Sequence, residues 1–261
     1  MKEKVILFLG GVAFGTAAIF VKFCTITPPL ITFLRFLLAG IVLFPFRLKR
    51  AKRNLGFKYL IIPSLFLSLH MVFFVASVFL TTIAASTILV STSPIFAMII
   101  RKKFDLLIFI AIIGIIIMNY TTTLGYLIGN ILALTSAISF ALYTYFLSKI
   151  NYDFLSTAPL IYLVSSLFMI PILPFYGIGN FNLVSLLAIL GLVFIPTLVG
   201  HGSVIYTANK LPISLVTSSE LIEPVVATIL AFFIFKQIPT IQEIIGGGIT
   251  LVSIYFAFRK V

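Results

Sequence analysis

Apolar residues run for about 20 positions at a time along the whole chain, and short polar, basic stretches separate the runs. A helix rises 1.5 Å per residue, so about 20 apolar residues cross the ~30 Å hydrocarbon core of a bilayer. The pattern therefore predicts ten spans, over 5–23, 28–46, 59–79, 82–100, 106–121, 125–148, 155–175, 184–208, 212–235 and 240–258. The fold class expected is an all-α integral membrane protein. The span at 106–121 is the shortest, and those at 125–148 and 184–208 are long enough to tilt. No low-complexity segment or long linker interrupts the series, so one membrane domain accounts for the chain.

Composition agrees with that reading. Of 261 residues, 61% are hydrophobic and 9% charged, and the mean hydropathy is +1.26, more apolar surface than a soluble domain of this length can hide. The net charge of +12 would suit nucleic acid, but its placement argues otherwise. Fifteen of the 18 basic residues fall in 1–4, 47–58, 101–105, 149–154, 209–211 and 259–261, the others being Lys22, Arg35 and Lys236. Those segments share one side only if the number of spans is even. The positive-inside rule then makes that side, with both termini, cytoplasmic. The expected location is the cell membrane, multi-pass, with no cleaved signal peptide. A single cysteine, Cys24, excludes an internal disulfide.

The chain also repeats. A shift of 130 places Pro29 on Pro159, and Ile83, Thr87 and Pro94 on Ile213, Thr217 and Pro224; a shift of 131 places His70 on His201, the two histidines of the protein. A shift of 126 places Phe14 on Phe140. Two five-helix halves follow, at 1–123 and 124–261. Five is odd, so the halves cross the membrane in opposite senses. Inverted repeats of this kind suit a secondary transporter that rocks around a central site.

Charges within spans cost about 3 kcal/mol each on insertion scales, so each needs a partner, a wet cavity or a neutral state. Arg35 lies about two turns into the second span, as an anion site, a carboxylate partner or a snorkelling packing charge. His70 and His201 suit proton relay or bond a neighbouring helix. Glu220 and Glu223 share one helix face, and Pro224 frees the carbonyl of Glu220. These acids border a cavity, pairing Arg35 or exchanging protons with His201. Otherwise Glu220 is an interface carboxylate and Glu223 a protonated acid bonded to backbone. In SAISFALYTYF, Ser136, Ser139 and Tyr143 share a face that lines a cavity or bonds between helices. Pro196, Gly200 and Gly202 flank His201 and favour a hinge or close packing, as Gly10, Gly11 and Gly15 do in the first span and Gly246 to Gly248 in the last. Tyr59, Tyr126, Tyr176 and Tyr255 lie near span ends and read as an interfacial belt.

The duplicated five-helix pattern, with AFGTAAIFVK, PPLITFLRFLLAG, ASTILVSTSPIFA and LIEPVVATILAFFIFKQIPTIQEIIGGGITL in order, resembles the drug/metabolite transporter superfamily in its EamA branch. The resemblance covers almost the whole chain. It implies a ten-helix inverted repeat around a central cavity and export or exchange of small metabolites, often amino acids. It matches Arg35, Lys22, Pro94, Pro224 and Glu223 to residues common in the family. Phe14 departs from a usual tryptophan, and Lys236-Gln237 from a glycine–glutamate pair.

The function expected is a secondary transporter, an exporter of small polar metabolites by alternating access, with Lys22 and Arg35 attracting an anionic group. Glu220, Glu223, His70 and His201 would bind a cationic group or relay protons, so proton coupling is among the expected partners beside the solute and the lipid bilayer. No cofactor, metal or nucleic acid is expected, and nothing in the sequence sets an oligomeric state. A lipid scramblase or structural subunit is the alternative. An intramembrane enzyme fits poorly, since no His-Glu-x-x-His, Gly-x-Gly-Asp or acidic metal loop is present.

Overall fold

The computed structural model describes residues 1–50, 56, 58–81, 83–118, 127–151, 153–235, 238 and 240–260. It is nearly all helical. The first span is α1 (Lys2–Phe14) and α2 (Ala17–Phe23), parted where the Thr16 hydroxyl bonds back to the Ala13 carbonyl at 2.8 Å. Then come α3 (Pro28–Arg50) and α4 (Lys58–Leu80). α5 (Ile83–Val90) and α6 (Ser93–Arg101) divide at Ser91-Thr92, just before Pro94, and α7 (Leu106–Met118) follows. α8 (Leu127–Leu147), α9 (Phe154–Leu167) and the one-turn α10 (Leu173–Tyr176) come next.

The span at 184–208 is not one regular helix. α11 (Leu183–Leu192) passes into a π-helical stretch, Val193–His201, and then α12 (Gly202–Thr207). α13 (Ile213–Thr217) meets a 3₁₀ turn, Ser218–Leu221, ahead of α14 (Ile222–Phe235), and α15 (Ile241–Lys260) ends the order. Among the described residues six helices are long and apolar enough to cross a membrane: Lys2–Phe23, Pro28–Lys49, Lys58–Leu80, Leu127–Leu147, Leu183–Thr207 and Ile213–Ile234. Shorter apolar helices lie at Ala85–Arg101, Leu106–Ile117 and Phe154–Leu167. Lys52, Arg53, Tyr126 and Lys236-Gln237 lie outside the described residues, as do the predicted ends at 119–121, 125 and 82.

Chemistry at the chain punctuation explains several boundaries. Pro28 and Pro29 open α3, where missing amides cost nothing. Asp153 caps α9, its carboxylate accepting from the Ser156 amide at 3.0 Å and hydroxyl at 2.7 Å. Asn182 caps α11 by accepting from the Ser185 amide at 2.8 Å.

α4 lies along α8, α3 along α9 and α7 along α15. α1 packs on the π-helical stretch, α12 and α14, because its glycines let backbone approach: a Cβ on Gly11 would stand 2.7 Å from the Ser219 carbonyl oxygen. One continuous cluster of buried apolar side chains runs through the bundle. Large apolar residues such as Ile41, Phe79, Ile116 and Phe233 face outward, as a bilayer-facing surface requires. Tyr59, Tyr176 and Tyr255 are exposed near helix ends.

At one end of the bundle the α2–α3 loop is stitched to the α10–α11 loop. Ile26 and Gly179 form an isolated antiparallel bridge. The Asn180 amide donates to the Thr25 carbonyl at 3.0 Å, the Thr27 hydroxyl to the Gly177 carbonyl at 2.9 Å, and Thr25 Oγ1 lies 2.9 Å from Ser185 Oγ. Gly179 has φ +76°, and a Cβ there would stand 2.8 Å from Ile26 Cα, so only glycine fits the bridge.

Candidate functional site

Two irregular segments build the site. Pro196 has no amide to offer the carbonyl of Leu192. The Thr197 hydroxyl donates to that carbonyl at 2.7 Å, and the backbone relaxes into the π-helical stretch. The same hydroxyl accepts from Arg35 Nε at 2.9 Å, and Tyr162 donates its hydroxyl to the Thr197 carbonyl at 2.9 Å. A proline thus sets a threonine, which sets the arginine.

The second segment follows the same logic. Pro224 leaves the Glu220 carbonyl without its regular helical donor, and the Ser91 hydroxyl supplies one at 3.0 Å across the packing of α5–α6. The 3₁₀ turn carries Glu220, whose Oε2 accepts a short hydrogen bond from the Ser93 hydroxyl. Its Oε1 lies 3.7 Å from His70 Nε2.

The far side of His70 is held by α8. Its Nδ1 lies 3.2 Å from the Ser136 carbonyl oxygen and 2.9 Å from Ser136 Oγ, and the Ser136 hydroxyl donates to the His70 carbonyl at 2.7 Å. His201 packs by its ring: 4.9 Å from Phe14 edge-on, 5.6 Å from His70 and 6.0 Å from Phe140, centroid to centroid. Gly200 makes room, since a Cβ there would stand 2.7 Å from the Phe14 ring.

These side chains enclose one cavity of about 10 Å³, lined by Phe14, Ala17, Arg35, His70, Met71, Phe74, Val90, His201, Glu220 and Glu223. That is room for about one water, and none of the lining residues is more than 4% exposed. Three of the five ionisable groups keep an atom without a hydrogen-bond partner: Arg35 Nη2, His201 Nδ1 and Glu223 Oε1. Arg35 Nη1 has only the Met71 sulfur, at 2.7 Å, a weak acceptor. Polar capacity left unused at such burial is costly in a core.

The structure thus brings together all five ionisable groups singled out in the sequence: Arg35, His70, His201, Glu220 and Glu223. Their pairing differs from expectation. Arg35 meets Thr197 rather than a carboxylate, and Glu220 meets His70 rather than His201, because the 3₁₀ turn aims it at α4 and α6. Lys22 is exposed at the end of α2 and does not line the cavity. Ser139 bonds within its own helix, to the Thr135 carbonyl at 2.8 Å. Tyr143 is buried 5.9 Å from the Phe140 ring, its hydroxyl unpartnered, outside the cavity lining. Pro94 opens α6, and Gly202 opens α12. Thr197, Ser91, Ser93 and Met71 were not anticipated. The adjacency of hydroxyls to Pro196 and Pro94 was the available signal.

Among the described residues no group of three or more His, Cys, Asp or Glu side chains is placed to hold a metal ion. The model of the EamA-like transporter family matches residues 127–259. No curated protein matches the chain in sequence. One crystal structure is similar over 98% of this chain and 96% of its own, with a TM-score of 0.80 at 14% identity, a likeness of fold. With half of its length matched and a buried cavity lined by ionisable side chains between apolar helices, the chain belongs to the EamA-like transporter family of the drug/metabolite transporter superfamily, a family of membrane transporters.

Proposed function

We propose that this protein is a secondary transporter that exports small polar metabolites, such as amino acids, by alternating access. The carrying observation is the buried cavity, to which 1–123 contributes Arg35 and His70, and 124–261 contributes His201, Glu220 and Glu223. A cavity with room for about one water admits a metabolite only when helices part, so binding and helix movement are linked.

Ten spans in two inverted repeats would supply that movement. Helix packing supports this reading, because contacts recur in equivalent pairs. α4 on α8 has its counterpart in the π-helical stretch on α1, and α4 on α9 in the π-helical stretch on α3. α3 on α9 and α7 on α15 are pairs of equivalents. His70 with His201 and Phe14 with Phe140 are equivalents that meet each other, at 5.6 and 6.4 Å. Residues beside a two-fold axis meet in that way.

Basic residues at 101–103, 149, 210 and 259–260 favour cytoplasmic termini in the cell membrane. The test is counterflow of labelled amino acids and related polar metabolites in proteoliposomes. Counterflow that Glu223→Gln abolishes at unchanged protein abundance supports the reading. Phospholipid flipping without any solute flux supports a scramblase instead.

A further inference from the structure

The geometry points to His70 and Glu220 as the binding site for one coupling proton of the transport cycle, a role that rests on the transporter reading above. Three observations carry it.

The tautomer of His70 follows from its partners. The Ser136 carbonyl can only accept, and the single Ser136 hydroxyl hydrogen goes to the His70 carbonyl at 2.7 Å. Nδ1, at 3.2 Å from that carbonyl and 2.9 Å from the hydroxyl oxygen, therefore carries the ring hydrogen. In the neutral ring Nε2 then presents a lone pair to Glu220 Oε1, 3.7 Å away.

Two lone pairs facing each other across that gap repel, and one proton removes the conflict. It sits on Oε1, facing a neutral imidazole, or on Nε2, giving an imidazolium beside a carboxylate. A second proton would leave two hydrogens facing each other.

Arg35 and Glu223 line the cavity beside the pair. His201 is edged by Phe14, Phe36 and Phe140. Of the other helices packed on the pair, α8 brings Tyr143 and α9 Tyr162, both buried. α2 ends in exposed Lys22 and buried Cys24, outside the lining, and α1 and α6 keep their charges at their ends. α5, α7 and α13 have no ionisable residue.

The two halves of the pair are fixed to different elements. Ser136 ties His70 to α8, while Ser91 and Ser93 tie Glu220 to the α5–α6 segment. Relative movement of these elements parts Nε2 from Oε1 and admits water. The N–H or O–H bond then breaks, the proton passes to water as hydronium, and its electron pair stays on Nε2 or Oε1. Closure in the other orientation requires a proton to be taken up again.

The test needs no solute. The full chain in lipid nanodiscs is titrated while the carboxylic-acid C=O stretch is followed by infrared difference spectroscopy. In parallel, the variant Thr25→Cys/Ser185→Cys, on Cys24→Ala, is cross-linked across the stitched loops at each pH. A titrating band that Glu220→Gln removes, together with a pH-dependent cross-linking yield that Glu220→Gln and His70→Gln flatten, is the expected result. Ser136→Ala keeps both ionisable groups and should move the midpoint; it decides the matter even where the other variants do not fold. A band and a yield that follow pH identically in wild type, Glu220→Gln and Ser136→Ala overturn the assignment. Counterflow that persists beside such a result sinks the proton site alone, whereas absent counterflow sinks the transporter reading whatever the titration shows.

Discussion

Thr197 Oγ1 stands between two groups that need it, accepting from Arg35 Nε at 2.9 Å and donating to the Leu192 carbonyl at 2.7 Å. The carbonyl is free because residue 196 is proline, and the guanidinium is fully buried. Thr197→Val keeps the shape and deletes both bonds. Leaving buried polar groups unpaired costs about 1–3 kcal/mol, more on the charged side. A lower thermal midpoint and loss of counterflow are expected together. Thr197→Ser retains the hydroxyl and should restore both; a Val variant as stable and active as wild type would show that Arg35 is held by something else.

Asp153 offers a test away from the membrane interior. Burial is the largest single influence on its carboxyl and would raise its pKa. Hydrogen bonds from the Ser156 hydroxyl and amide, with further backbone amides, outweigh it and hold the pKa below the ordinary 3.8. A folded-state pKa below the unfolded value means that the cap's stabilisation is present above about pH 3.8 and is lost as pH falls through the folded value. Asp153→Ala should cost about 1 kcal/mol at neutral pH, with the two unfolding curves converging in acid. Asp153→Asn, a comparable cap, should keep its advantage over Ala in acid. Thermal unfolding from pH 3 to 7 in detergent, with all three proteins compared, measures this.

Apolar run length marked where most of the apolar helices lie, and cost marked charged side chains that share a cavity. Arg35, Glu220 and Glu223 are expensive in any span, and each turned up at the same cavity. Their partners were not legible. Hydroxyls are common in spans, and nothing along the chain says that Ser93 reaches the Glu220 carboxylate while Ser91 reaches its carbonyl, or that Thr197 rather than an acid meets Arg35. That choice depends on the rotation of one helix against another. Local irregularity moves it further: the π-helical stretch before His201 and the 3₁₀ turn at Glu220 each shift the face presented from that of a regular helix. Lys22 shows the converse: its charge near a span end stood out along the chain, and packing leaves it exposed outside the cavity lining.

Gly11 tests how closely α1 must approach the acidic segment. A Cβ there would stand 2.6 Å from Ile222 Cδ1 and 2.7 Å from the Ser219 carbonyl oxygen. A side-chain methyl can rotate away, but the carbonyl belongs to the turn that carries Glu220. Gly11→Ala should therefore cost about 1–3 kcal/mol through overpacking and depress counterflow beyond the loss of folded protein. Normal flux per folded molecule would mean that the turn tolerates displacement.

The stitched loops make the last prediction. Thr25, Ile26 and Thr27 bond to residues 177–180 and Ser185 from the other half of the chain, so any cycle that opens the cavity toward this end must break them. Thr25 Oγ1 and Ser185 Oγ already lie 2.9 Å apart, so cysteines at these positions need little adjustment to join. An oxidised Thr25→Cys/Ser185→Cys protein, in the Cys24→Ala background, should lose counterflow and regain it on reduction. The two hydroxyls take part in four neutral hydrogen bonds, each modest in net energy at about 1 kcal/mol and made in an exposed or half-buried loop, so the reduced protein should retain flux that the oxidised one lacks. The covalent tie cannot be broken by thermal motion, and that difference is what the comparison reads. Undiminished flux in the oxidised form would mean that this end of the bundle stays shut throughout the cycle and that solute leaves by another route.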